Sequence, residues 1–291
     1  MIRRPLVRLS PRFSQRRRPV ITSTANSHVK YIRSLSADRR ERHRERCFVL
    51  EGVRLVQEAL YTGVPLQLGL YAPEQLAVTA AGQHLLEQIA DQSGWYAATP
   101  RVVAAAADTV TPQGLVAVAS WPDLPPRPGL TLILDAIQDP GNVGTLLRSA
   151  AAAGVGQIVC IRGTADVYSP KVVRAAMGAH FSLPLQVDRQ WADLAGMPTA
   201  GTAVYAAVAQ APLPYYAVDW CRPAALIIGN EAQGISDAGL ALATTLITIP
   251  MEGLVESLNA AIAGSVILFE ALRQRTEDRR LRSERGDHEH Y

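Results

Sequence analysis

Lysine is almost missing from this chain of 291 residues: only Lys30 and Lys171 occur. No Gly-x-x-x-x-Gly-Lys-Ser/Thr run is present, which excludes a P-loop nucleotide site. The Gly-x-Gly-x-x-Gly fingerprint is absent too, which argues against a nicotinamide-linked dehydrogenase. No apolar run approaches the roughly 20 residues that span a bilayer, so no membrane partner is expected. Cysteine is scarce: Cys47, Cys160 and Cys221 are odd in number and far apart, which fits neither a disulfide framework nor a zinc site. The six histidines form no His-x-x-x-His pair. No metal is therefore expected, and reduced thiols suit a cytoplasmic protein.

Acid is missing from the start of the chain. No Asp or Glu precedes Asp38, whereas Arg3, Arg4, Arg8, Arg12, Arg16, Arg17, Arg18, Lys30 and Arg33 all do. A second basic run follows at Arg39, Arg40, Arg42, Arg44 and Arg46. The net charge is only +3, so the asymmetry rather than the total points to a polyanion such as RNA. A solvated tail and helix face would give the same pattern. Residues 1–20 fit either a transit peptide or a disordered basic arm; of the two, the arm is preferred.

Hydrophobic residues make up 48% of the chain, ample for a packed core. Residues 26–46 read as one helix, with Val29, Ile32 and Leu35 on one side. Strands at 48–50, 66–71, 95–98 and 115–119 then alternate with helices at 53–61, 80–92 and 102–108, a small α/β unit over residues 21–120. Four prolines between Trp121 and Gly129 mark an extended linker over 121–129. A second α/β unit follows over 130–275. Its strands, at 130–134, 157–161, 183–187, 203–208, 225–228 and 246–249, are continuous apolar runs, as in a sheet covered on both faces. Its last helix is expected at 257–275, with Ser257 as N-cap and Leu258, Ile262, Val266, Phe269 and Leu272 as a buried stripe. The charged tail 276–291 is expected to fray.

Three loops at strand ends could carry chemistry. The first runs Asp139-Pro140-Gly141-Asn142-Val143-Gly144-Thr145 to Arg148; Asp139 and Pro140 open a helix on which Asn142, Thr145 and Arg148 share a face. The second is Gly229-Asn230-Glu231-Ala232-Gln233-Gly234-Ile235, and the third joins Ile249-Pro250-Met251 to Ser257-Leu258-Asn259. Each alone is an ordinary cap or turn. Together and in order, they resemble the three signature motifs of the SpoU (TrmH-type) RNA ribose methyltransferases of the SPOUT superfamily. One departure is Ala232, where the family often has glycine.

The resemblance covers 130–275 and implies a SPOUT-type α/β domain with a deep trefoil knot. Residues 21–120 resemble the small α/β substrate-binding domain of the ribosomal protein L30e fold. The implied activity is transfer of a methyl group from S-adenosylmethionine to a ribose 2′-hydroxyl. Structured RNA is then the substrate, large-subunit ribosomal RNA before transfer RNA, and the enzyme a homodimer. Resemblance places the chemistry on Arg148, Asn142, Glu231, Ser257 and Asn259. It places the cofactor on Gly229, Ile249, Met251 and Leu258. The basic run Arg39, Arg40, Arg42, Arg44 and Arg46 would contact RNA. The rival reading is a non-catalytic RNA-binding protein of the same fold.

Overall fold

The computed structural model describes residues 19–196, 202–253 and 256–286. The arm, apart from its last two residues, lies outside them. In the first unit the elements are α1 (Ser27–Ala37), α2 (Arg39–Glu45), β1 (Cys47–Glu51), α3 (Val53–Tyr61), β2 (Leu66–Tyr71), α4 (Pro73–Leu76), α5 (Ala80–Ile89), β3 (Trp95–Ala97), α6 (Pro100–Ala106) and β4 (Leu115–Ser120). Its sheet has the order β1-β4-β2-β3, antiparallel except for the β2–β3 pair.

The single helix expected over 26–46 is two. Asp38 is extended, at φ −114° and ψ 118°, and its side chain accepts from the Arg40 N–H to cap α2. A short carboxylate that can bond the backbone two residues on competes with helix continuation, which breaks the helix there.

Alternate residues of β1 and β4 bury into two different cores. Cys47, Val49, Val116 and Val118 pack with α1 and α6. Phe48, Leu50, Ala117 and Ala119 belong to a core that continues through α3 and α5 into the second unit. Phe48 lies 5.2 Å from the Tyr168 ring and 5.5 Å from His180. The proline-rich segment has no regular structure, yet it is docked: Trp121 stacks on Tyr168 at 4.0 Å and 15°.

The second unit contains β5 (Leu130–Asp135), α7 (Pro140–Ala152), β6 (Gln157–Ile161), α8 (Pro170–Ala176), β7 (Leu185–Arg189), β8 (Ala203–Ala207), β9 (Leu213–Pro214), β10 (Ala224–Gly229), α9 (Asp237–Leu242), β11 (Thr245–Thr248) and α10 (Ala260–Gly286). Seven parallel strands run in the order β7-β6-β5-β10-β8-β11-β9. The two-residue β9 is a strand beyond the six expected. Leu132, Leu134, Leu226 and Ile228 face the α7, α8 and α10 layer, while Ile133, Ala225 and Ile227 face Trp191, Leu194 and Leu242. Burial on both faces explains the unbroken apolar runs.

The chain leaves β5 toward β6 and β7, then returns to the other half of the sheet. β5 and β10 are consequently neighbours, with Asp135 opposite Gly229, and the loops that follow them diverge. Such a divergence at the carboxyl ends of parallel strands opens a crevice for ligands. At Gly144 a Cβ would sit 2.4 Å from the Ala175 Cβ, so α7 and α8 touch there only because the residue is glycine.

The tail differs from expectation, since α10 continues to Gly286. Ion pairs one turn apart support the extension: Arg273–Glu277 at 2.8 Å, Arg280–Glu284 at 3.6 Å and Arg282–Asp278 at 2.9 Å. Among the described residues no helix is long and apolar enough to cross a membrane.

Candidate functional site

The site is assembled where the loops after β5, β10 and β11 meet. Asp139 caps α7 by accepting from the Asn142 N–H at 2.9 Å, with Pro140 in the first turn. This entry turns the Asn142, Thr145 and Arg148 face outward. The Asn142 side chain then links the other two loops. Its Nδ2 donates to Glu231 Oε1 at 2.8 Å, and its Oδ1 accepts from Asn259 Nδ2 at 3.0 Å. Glu231 also accepts from the backbone N–H groups of Gln138 at 3.2 Å and Asp139 at 3.3 Å. Partial burial pushes its carboxyl up, but the bonds from Asn142 and from backbone N–H groups outweigh this and hold it below the usual carboxylate value.

Asn259, not Ser257, caps α10. Its Oδ1 accepts from Ala261 N at 2.9 Å and Ile262 N at 3.2 Å. Placing the cap two residues later satisfies the helix donors with a side chain that also holds Asn142, which the shorter serine could not do from its position. Ser257 lines the cavity instead.

That cavity measures about 570 Å³. Gly229, Ile249, Met251 and Leu258 all line it, together with Glu231, Ser257 and Asn259. At Gly229 a Cβ would sit 2.4 Å from the Gly234 and Ile235 backbone, so only glycine lets the loop close on itself. Arg148 is not in the lining. It is exposed on α7, and its guanidinium has no hydrogen bond or ion pair with any described residue. Within the chain the Asn142 side chain bonds not to Arg148, which shares its helix face, but to Glu231 and Asn259.

Two residues to which the sequence reading gave no role of their own also organise the site. Asn230 donates to the Ala136 carbonyl at 2.7 Å and accepts from Ala232 and Gln233, tying the second loop to the first. Asp135 is buried and accepts from the Ser236 N–H at 2.7 Å. An acid closing an apolar strand was the signal for Asp135.

The basic run is mostly engaged inside the protein. Arg42 is buried, reaching Asp166 at 2.6 Å and the Ser36 carbonyl at 3.0 Å, so it is not free to bind RNA. Arg39 pairs with Asp188, Arg44 with Glu41 and Glu45, and Arg46 lies 5.2 Å over the Trp121 ring. Only Arg40 of the five has a side chain without a partner among the described residues. No cluster of three or more His, Cys, Asp or Glu that could hold a metal occurs among the described residues.

The SpoU rRNA Methylase family model matches residues 129–269. A Synechocystis protein named as an uncharacterized tRNA/rRNA methyltransferase is 38% identical over 260 residues, 87% of this chain and 93% of that protein. The chain belongs to the SpoU family. Residues 26–117 match the MRM3-like substrate binding domain, so both units are accounted for. A relative from Bacillus subtilis named 23S rRNA (guanosine(2553)-2′-O)-methyltransferase RlmP is 31% identical over 250 residues, 86% of this chain and 97% of its own. Among solved structures, the SpoU methyltransferase AviRb from Streptomyces viridochromogenes in complex with AdoMet has a TM-score of 0.77 at 30% identity. That match covers 86% of this chain and 98% of AviRb. The α/β fold, with its parallel sheet in the second unit, is shared along nearly the whole of AviRb.

Proposed function

We propose that this chain is an S-adenosylmethionine-dependent methyltransferase acting on a ribose 2′-hydroxyl of ribosomal RNA. The observation that carries the reading is the Glu231–Asn142–Asn259 chain at the edge of the cavity, which joins all three motif loops. The residues fit the cofactor. About 570 Å³ lies within the roughly 300–1,000 Å³ of small-molecule sites. Ile228, Ile249 and Leu258 offer apolar wall for a ring, and Glu231 and Asn259 offer polar edges. When bound, S-adenosylmethionine supplies an electrophilic methyl group on a sulfonium, with a good leaving group already in place.

The protein's own work is alignment. Gly229, Ile249, Met251 and Leu258 hold the cofactor, and Ser257 and Asn259 close the pocket. Asn142 and Glu231 keep the loops in register. Arg148, whose guanidinium has no partner among the described residues, binds the phosphate beside the target ribose and orients its hydroxyl. Because Arg148 stands outside the pocket, a second copy of the chain completes the site. Leu258, Ile262, Val266 and Phe269, expected as a buried stripe, are instead exposed on the third loop and α10, whose core side is Ala261, Ile267, Leu268 and Ala271, and they supply the apolar dimer surface. Phe269→Asp should then give a monomer by light scattering and abolish transfer; a dimer of full activity would sink this assembly.

The third loop passes through the second as a trefoil knot, supported by the interlocking bonds among loops 135–142, 230–236 and 257–259. The first unit, a four-stranded sheet with helices on both faces, takes the L30e fold. An experimental chain trace passing outside the 230–244 loop, or a different strand order in the first unit, would overturn these assignments. The large subunit is the favoured source of the RNA, given the name of the Bacillus relative. The reading places the enzyme in the cytoplasm, and a tagged chain found in an organelle would contradict that.

Mapping 2′-O-methylations in total RNA with and without the gene, beside calorimetry with S-adenosylmethionine, tests the whole reading. Loss of one ribosomal methylation and measurable cofactor binding are expected. A lost methylation in transfer RNA would move the substrate. No binding at millimolar cofactor would leave a non-catalytic RNA-binding protein.

A further inference from the structure

Three cations without a partner among the described residues share one face of the first unit. α1 and α6 lie on the side of the first sheet that faces away from the second unit, where Val29, Ile32 and Val103 share one core. The segments that build this face, residues 19–37 and 95–107, contain no Asp or Glu. Lys30, Arg33 and Arg101 are exposed, and their side chains have no hydrogen bond or ion pair with any described residue. At the neighbouring sheet edge the His28 and Tyr96 rings stack at 4.5 Å and 26°. The chain enters the fold beside that pair, where Ile21 bridges Ala98, and the 18 residues before Pro19 carry seven arginines and no acid.

Past the end of α6 the chain meets the unit that carries the candidate site. Asp108, just past α6, pairs with Arg174 of α8 at 2.9 Å, and Lys171, one turn earlier on α8, lies 3.8 Å from Asp139 at the entry of α7.

We propose that this α1–α6 face, rather than the arginine run of α2, is the surface that grips the RNA backbone, with the His28–Tyr96 pair as a platform for an unpaired base. The inference rests on the RNA-modifying reading above. A cation already paired with a carboxylate displaces few counterions from a phosphate, whereas a free one contributes fully. Half-buried stacked rings at a basic surface suit single-stranded or looped RNA, whose bases can leave the helix.

The test compares two triple variants of the full chain that remove equal charge: Lys30→Ala/Arg33→Ala/Arg101→Ala and Arg39→Ala/Arg44→Ala/Arg46→Ala. The probe is large-subunit ribosomal RNA transcribed in vitro. Affinity is measured without cofactor across a salt series, and methyl transfer as a function of RNA concentration. For the first variant, the slope of log affinity against log salt should fall by about 2–3, from about 0.7–0.9 per lost phosphate contact. Its KM for RNA should rise with little change in kcat at saturating RNA. The α2 variant should keep the wild-type slope to within about 1, the share of Arg46, which lies over the Trp121 ring and not against a carboxylate. A wild-type slope in the first variant, or an equal loss in both, overturns the inference. Because binding is read without cofactor, it judges the face even if the wild-type chain transfers no methyl group; that outcome would overturn the activity instead.

Discussion

Replacing Arg42 by alanine should damage the fold and spare RNA binding. Arg42 is 4% exposed and its ion-pair partner Asp166 has a side chain 9% exposed. The guanidinium reaches Asp166 through Nε at 2.8 Å and Nη2 at 2.6 Å, and Nη1 donates to the carbonyls of Leu35 at 2.5 Å and Ser36 at 3.0 Å. Alanine leaves Asp166 with the Tyr168 N–H at 3.0 Å and His43 at 4.0 Å. Removing one partner of a buried pair costs about 3–5 kcal/mol, because the other charge stays buried. At about 2–4 °C per kcal/mol for a chain of this size class, Tm should fall by roughly 6–20 °C. Circular dichroism through a thermal ramp reads this directly. The loss should persist at high salt, since buried pairs are screened little. A cycle with Asp166→Ala should show a coupling of about 0.5–3 kcal/mol. An unchanged Tm combined with weaker, more salt-tolerant RNA binding would refute the reasoning and return Arg42 to the RNA surface.

Arg148→Ala should abolish methyl transfer yet leave S-adenosylmethionine affinity by calorimetry nearly unchanged; wild-type turnover would remove Arg148 from the site. Asn259→Ala should cost about 0.5–2 kcal/mol by loss of the α10 cap and also weaken cofactor binding. Asn259→Asp keeps the cap acceptor but not the donor to Asn142, so it should restore stability without restoring affinity; recovery of both would show that the link to Asn142 is idle. His180 is buried, and desolvation pushes it from 6.5 down to about 4. The unfolded chain takes up this proton below about pH 6.5 while the folded chain refuses it until about pH 4. Stability should therefore fall across that window by up to roughly 3 kcal/mol. Tm measured at several pH values for wild type and His180→Gln tests this, and equal acid sensitivity in both would exclude His180 as a source.

Much of the fold was legible because burial leaves a periodic trace. The runs at β5, β6 and β10 are apolar throughout because both sheet faces are covered, and Asp139-Pro140 announces α7 through local backbone chemistry. The misses share a different cause. The break at Asp38 depends on a side chain choosing its own neighbour's N–H over helix continuation. The extension of α10 depends on ion pairs that support a polar helix. Two-residue β9 has too little sequence for any period to show.

Residue identity and order alone determined the three motif loops, the absence of dinucleotide and P-loop fingerprints, and the acid-free start of the chain. Tertiary structure decided which polar groups meet. Asn142 finds Glu231 and Asn259 across separations of 89 and 117 residues, and Arg42 finds Asp166 across 124. A hydrogen bond requires partners within about 3 Å and in line, a condition set by how distant strands and loops pack. For this reason five arginines that read alike in sequence divide into a buried bolt, two surface ion pairs, one cation over the Trp121 ring and one free cation among the described residues, while unpaired charge stands on α1 and α6.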